Sequence, residues 1–399
     1  MDRRRARWLA LSASTLVAAL IFSAAWPWLK RRETESVRIQ RLQPPDGNLA
    51  QRRAGKVANG TGSLDPATAQ EWRYYLSEDE ADRYFFVRSN KRMVFDPWSY
   101  LRDAGNLDEV VLRRAHPDGK YRWKTNSLGC REDHELDDPP RAWRVLVAGD
   151  SHSCGLCNDE ETFANLLEAN LAREHAGKTV EVLNAALGGY SFYNYFGTLL
   201  RLRSFKPQLL VIGVFGGNDF AELLPLDFQF KGRPWDNMSE REQERRAAAL
   251  EISNAAMGQG LNALDTFRDW PHEQQPMVDS AIELCTEMRD VAASHGTKMI
   301  VVFIPAPFDF HWNALPKRAS DARAALELSD EDLTINQRMA TGFLAGLQAA
   351  GLPVLDMRPI FEREKEPPYW LVDFHINLRG HELIAEALKP LVSAALAER

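Results

Sequence analysis

From Arg144 to the C-terminus, short apolar runs alternate with longer amphipathic stretches. The runs cover residues 144–149, 180–185, 209–215, 299–305 and 353–357, are rich in Val, Ile and Leu, and are too short for helices, so each predicts a strand. Between the first two, residues 161–176 place Phe163, Leu166, Leu167 and Leu171 on one helical face. Further helices are predicted over about 238–257, 276–295, 331–349 and 379–397, with Pro390 expected to kink or break the last. Strands alternating with helices of this length form βαβ units, which predicts an α/β domain over 141–399 around a five-stranded parallel sheet. The connection over 220–297 is too long for a crossover and holds an insertion. In such sheets the reactive groups gather at the carboxyl ends of the strands.

The pattern is different upstream. Trp8 to Leu29 is a stretch of 22 residues without a charge, which as a helix spans roughly the 30 Å hydrocarbon core of a bilayer. Arg3, Arg4, Arg5 and Arg7 precede it, and Trp8, Trp26 and Trp28 sit at its ends. Residues 1–29 are therefore predicted to be one transmembrane helix, with the N-terminus in the cytoplasm of a bacterium and the body in the periplasm. The competing reading is a cleaved signal peptide, with Ser23-Ala24-Ala25 as its processing site. The apolar run continues past that site, which favours the uncleaved anchor. Residues 30–68 are polar, carry Pro44-Pro45 and Asn59-Gly60, and read as a linker. Residues 69–140 are rich in aromatics, among them Trp72, Tyr74, Trp98 and Tyr100, and are expected to form an N-terminal extension packed on the main domain.

Composition narrows the function. The 399 residues carry 49 basic and 56 acidic side chains, a net charge of −7, so there is no basic excess to hold nucleic acid. No phosphate-cradling Gly-rich loop or dinucleotide fingerprint occurs. The chain has four cysteines, too few to staple a fold of this size. Cys154 and Cys157 follow a strand with two residues between them, as a redox pair does. Packing, a disulfide among Cys130, Cys154 and Cys157, and thiol or zinc chemistry stand as readings of these residues, packing first.

The first strand runs into Gly149-Asp150-Ser151-His152, setting a serine at a strand-to-helix turn. A serine hydroxyl becomes a nucleophile when a base lies within hydrogen-bond reach and a third group orients that base. Asp373-Phe374-His375 supplies both near the end of the chain, followed by Asn377, Gly380 and a helix. Gly188-Gly189 closes the second strand and Gly216-Gly217-Asn218-Asp219 the third, offering backbone and amide N–H groups for a developing oxyanion.

These four blocks, in this order, resemble the SGNH (GDSL-type) hydrolase family over roughly residues 122–397. Residues 126–131 also resemble the stretch that precedes the first block in many members. The resemblance implies a flavodoxin-like three-layer α/β/α sandwich and ester chemistry with no metal and no cofactor. It implies Ser151 as nucleophile, His375 as base, Asp373 as its orienting partner, and Ser151 N–H, Gly189 N–H and the Asn218 amide as the oxyanion hole. His152, Asp219 and His311 are assigned to the wall of the substrate pocket. A small acyl ester, such as an O-acetylated glycan, is the expected substrate.

One departure matters. Many members carry the acid three residues before the histidine, whereas here Val372 stands there and the carboxylate, Asp373, comes two before. That spacing resembles the branch that acetylates bacterial polysaccharides. An envelope polysaccharide O-acyltransferase, drawing on a membrane partner for its acyl donor, is therefore an alternative, as are a periplasmic thiol oxidoreductase and a noncatalytic glycan-binding protein. Asp309-Phe310-His311 repeats the acid-Phe-His pattern after the fourth strand and is a rival base. It lacks the following glycine and terminal helix.

Overall fold

The computed structural model describes residues 72–89, 91–136, 141–234 and 238–397. The predicted membrane anchor and linker lie outside these residues. Among the described residues no helix is long and apolar enough to cross a membrane.

The described chain opens with helix α1 (Glu78–Phe85), whose first turn is closed by a reciprocal cap between Ser77 and Glu80. Two antiparallel hairpins follow, β1 (Met93–Asp96) with β2 (Tyr100–Asp103), and β3 (Asp108–Leu112) with β4 (Lys120–Lys124). The α/β body then runs β5 (Trp143–Gly149), α2 (Ser151–Cys154), α3 (Phe163–Glu174), β6 (Val180–Asn184), α4 (Phe192–Arg201) and β7 (Leu209–Phe215). The insertion follows as α5 (Asp219–Lys231), α6 (Glu240–Ala256), a π-helical turn over Met257–Leu261 and α7 (Asn262–Asp269). The same connection ends in α8 (Gln274–Ser294), and then come β8 (Lys298–Ile304), α9 (Lys317–Ala325), α10 (Ile335–Ala349), β9 (Val354–Asp356), α11 (Arg358–Phe361) and α12 (Leu378–Ala397).

The five strands β5 to β9 form one parallel sheet in the order β6-β5-β7-β8-β9, the flavodoxin-like order. Right-handed crossovers send helices to opposite faces once the strand order reverses at β5. Accordingly α3 and α12 pack together on one face, while α4, α8 and α10 pack on the other. With both faces covered, the central strand has no polar side to present, and all seven residues of β7 are buried. The reversal between β5 and β7 opens a crevice at their carboxyl ends, where Ser151 and Asn218 stand.

Pro390 does not break the last helix: α12 is continuous from Leu378 to Ala397. Pro390 and Glu386, whose carbonyl loses its donor, are both exposed, so water can satisfy that oxygen. The opposite side of α12 buries Leu383, Ile384, Leu388 and Val392, and that packing outweighs one lost hydrogen bond.

The hairpin of β1 and β2 is tied to α4 through buried polar contacts. The Tyr190 hydroxyl donates to Leu101 O, and Asn194 Nδ2 donates to Ser99 O at 2.9 Å. Tyr100 and Leu101 share the main hydrophobic core with the sheet. This docking brings the second hairpin, and with it Arg113, to the rim of the crevice.

Candidate active site

Ser151 opens α2 directly after β5. Asp150 is the N-cap residue of that helix, its Oδ1 accepting from His152 N at 2.9 Å, which fixes the turn that projects the serine. Asp150 is fully buried, and burial pushes its carboxyl up to about 6, against the His152 N–H and the nearby His375 ring. Gly188 borders the serine: a Cβ on it would lie 3.6 Å from Ser151 Cβ. Gly189 has φ +80°, a left-handed conformation that favours glycine and turns this loop around the nucleophile.

His375 reaches the site from the loop before α12. Its Nε2 lies 3.0 Å from Ser151 Oγ, a hydrogen bond between residues 224 apart in sequence. On its other side, Nδ1 lies 3.5 Å from Asp373 Oδ1, too long for a hydrogen bond. Contacts of this kind often tighten only when substrate is bound. One residue, Phe374, separates acid and base. Phe374 between them adopts φ +67°, a costly conformation for a bulky residue, and is held there by complete burial against Phe308 and by its N–H donating to Trp370 O at 2.7 Å. Asn377 anchors the loop to α12, donating to Tyr369 O and Pro367 O while its Oδ1 accepts from Gly380 N.

Arg113, at the end of β3, was not singled out by the sequence reading. Its guanidinium grips Asp373 with two hydrogen bonds, Nη1 to Oδ2 at 2.6 Å and Nη2 to Oδ1 at 2.9 Å, and lies over the Trp370 ring. Burial works to raise the Asp373 carboxyl, but the His375 ring and the Arg113 fork outweigh it and hold the group well below the usual carboxylate range. Asp373 thus stays anionic beside the histidine. Arg113→Gln is expected to lower kcat about tenfold to a hundredfold by releasing the carboxylate that orients His375. The depressed carboxyl also contributes stability that is present above its unfolded value of about 3.9 and lost as pH falls below it. Thermal melts of the variant should therefore depend less on pH below about 4 than those of the native chain.

The asparagine block sits across the crevice. Gly217 admits close approach of the insertion: a Cβ there would lie 2.8 Å from Gln259 O. Asn218 Nδ2 donates to Glu222 Oε1 at 3.0 Å and to Gly258 O at 3.4 Å, while its Oδ1 is buried without a partner. In this arrangement both amide hydrogens are spent away from Ser151. Turning the amide over requires Glu222 to donate instead and gives up the contact with Gly258 O, which can only accept. Burial and the Asp150 charge push the Glu222 carboxyl up to about 8, so at neutral pH it holds the proton that the turned arrangement needs.

Two expected pocket residues are placed differently. Asp219 is fully buried, accepting from Tyr195 Oη at 2.7 Å and Phe215 N at 2.9 Å, and it braces the loop rather than lining a pocket. His152 is also fully buried, stacked on Phe215 with ring centroids 3.6 Å apart, because α2 turns it toward the end of β7. His311 packs on Phe310 and near Tyr369, and the histidine that meets Ser151 is His375.

The cysteines take no part in the crevice. Cys130, Cys154, Cys157 and Cys285 are free and buried. Burial pushes the Cys130 thiol up to about 11, the Cys154 thiol up to about 12, and the Cys157 thiol higher still. A redox pair needs an accessible thiolate, and these groups hold their protons at neutral pH. The space beside them is filled by Arg131, which is buried against the Trp123 ring and bonds to Gly155 O, Cys157 O and Asp159. Among the described residues no group of three or more His, Cys, Asp or Glu side chains is arranged to hold a metal ion.

No family model matches the chain, and no curated protein does. Solved structures do. An acetyl xylan esterase is similar at 14% identity and TM-score 0.38, over 62% of this chain and 99% of its own. An acetylxylan esterase from Geobacillus stearothermophilus is similar at 11% identity and TM-score 0.39, over 63% of this chain and 94% of its own. A GDSL-like lipase from Bacteroides thetaiotaomicron is similar at 14% identity and TM-score 0.29, over 64% and 89%. The solved structures to which this chain is similar include esterases and a GDSL-like lipase.

Proposed function

We propose that the chain is a serine esterase that cleaves a small acyl ester, such as an O-acetyl group on a glycan, through an acyl-Ser151 intermediate. The observation that carries this reading is the 3.0 Å contact between Ser151 Oγ and His375 Nε2, with Asp373 held on the far side of the imidazole. Ser151 Oγ attacks the acyl carbonyl as its proton passes to His375 Nε2. The imidazolium is stabilised by Asp373, which Arg113 keeps ionised. Negative charge on the carbonyl oxygen is met by the N–H groups of Ser151 and Gly189 and by the Asn218 amide once it turns from Glu222. His375 then protonates the leaving alcohol; in the second half it takes a proton from water as the water oxygen bonds to the acyl carbon, and returns that proton to Ser151 Oγ as the bond to the acyl group breaks and the acid leaves.

The two-residue spacing of Asp373 and His375 favours transfer as the second reading, with a sugar hydroxyl taking the place of water. In either case the uncharged run from Trp8 to Leu29 holds the catalytic body at the periplasmic face of the inner membrane, where a membrane partner could supply an acyl donor. Incubating the full chain with p-nitrophenyl acetate and an unacetylated oligosaccharide decides between them. Free acetate forming faster than acetylated oligosaccharide is the expected result, and the reverse order assigns the chain to transfer. Release of p-nitrophenol no faster than in buffer contradicts both.

A further inference from the structure

The insertion over 220–297 delivers one polar side chain into the catalytic centre. Beyond α6 the chain widens into the π-helical turn Met257–Leu261, in which Gly260 takes φ +149° and a Cβ on it would press on Phe308 at 2.7 Å. Such turns occur mostly as single insertions within α-helices, frequently at functional sites. Here the turn sets the carboxamide of Gln259 between two imidazoles: Oε1 lies 2.8 Å from His152 Nε2, and Nε2 lies 3.4 Å from His375 Nε2. The two rings are themselves stacked at 4.9 Å.

The direction of this relay is fixed at its buried end. The Ile376 N–H points at His152 Nδ1 at 3.3 Å, so that nitrogen accepts. Burial, followed by the neighbouring His375 ring, drives the His152 pKa well below the ordinary value and keeps the ring neutral, which leaves its proton on Nε2. That N–H donates to Gln259 Oε1, and the amide hydrogens of Gln259 therefore face His375 Nε2. Turning the amide over would set its NH2 against the His152 N–H. His375 Nε2 thus faces the Ser151 hydroxyl, which can donate or accept, and the Gln259 NH2, which can only donate, so the Gln259 contact is the one that requires the unprotonated nitrogen.

We propose that Gln259 is a positioning residue that holds His375 as a neutral base with its proton on Nδ1, and that this is what the insertion contributes to the reaction. The inference rests on the esterase reading above for its purpose, but not for its geometry. Other groups act on His375 too. Asp373 and Asp150 favour its charged form, while Arg113, His152 and His381 on α12 oppose it. Among the described residues, Gln259 is the group that opposes protonation by direct contact at Nε2.

The test titrates the rings of the full chain carrying isotope-labelled histidine, without substrate, alongside the pH dependence of kcat/KM. The nine histidines give few enough signals to assign His375 by its loss in His375→Asn. In Gln259→Glu a carboxylate replaces the donor, and the pH at which His375 takes up its proton is expected to rise by about one unit or more. The acid limb of kcat/KM should move with it. Gln259→Leu, which adds no charge and suits a half-buried site, should move both in the same direction by less. Titrations that coincide with the native one in both variants overturn the inference, even if ester cleavage is intact. A shifted titration in a chain that cleaves no ester keeps the role of Gln259 and refutes the esterase reading instead.

Discussion

Ser151→Ala is expected to lower ester turnover by about 10⁴-fold or more while leaving the melting temperature within a degree or two of the native value. The expected loss is large because a triad acts as a unit: without the nucleophile, the base and the oxyanion donors have no acyl-enzyme to form. The expected effect on stability is small for a separate reason. Ser151 is only partly buried, and its hydroxyl contacts His375 Nε2 at 3.0 Å and Asp150 Oδ2 at 3.5 Å, with no part in the capping of α2, which Asp150 performs. Removing one oxygen leaves no methyl-sized void, and such changes fall within about 0.5 kcal/mol. Turnover of p-nitrophenyl acetate and a thermal melt on the same preparation check both halves. A variant retaining more than a tenth of native turnover contradicts the assignment of Ser151.

His375→Ala is expected to be similarly inactive, and His311→Ala to stay within about threefold of native turnover. Both histidines stand in the same acid-Phe-His pattern, so this pair of variants separates what the pattern alone cannot. The geometry separates them. His375 meets the Ser151 hydroxyl, whereas His311 rests among Phe310 and Tyr369, and burial drives its pKa down. Adding imidazole to the His375→Ala protein should restore part of the rate, since the cavity left beside Ser151 admits a soluble base. His311→Ala falling as far as His375→Ala contradicts the account.

The sheet was legible because a strand buried on both faces leaves few polar positions in its sequence: β7 reads as an unbroken apolar run, as do β5 from Val145 and β8 from Met299. The serine, asparagine and histidine blocks were legible because each sits at a strand end or before a helix, where glycine and capping residues mark the turn. What could not be read was the direction of individual side chains. His152 adjoins the nucleophile, yet one step along a helix turns a side chain by about 100°, and the ring is sealed against Phe215. Arg113 and Gln259 come from separate appended segments, and their place depends on how a hairpin and a π-helical turn dock onto the body. Their local signals are faint. Arg113 stands beside Arg114 just past a strand, and Gln259 lies between Gly258 and Gly260 in an otherwise helical stretch. The spacing of Asp373 and His375 was visible, but the positive φ of Phe374 between them was not, because a bulky residue is held there only by its packing in the fold.

The most direct measurement traps the intermediate: native chain and p-nitrophenyl acetate are mixed, quenched in acid within the first turnovers, digested, and the peptides weighed. The account predicts one added acetyl group, carried by the peptide containing Ser151 and localised to that residue by fragmentation, and absent from the Ser151→Ala protein. Acetyl carried elsewhere, or equal turnover with no acyl group on Ser151 at any time before the steady state, contradicts it.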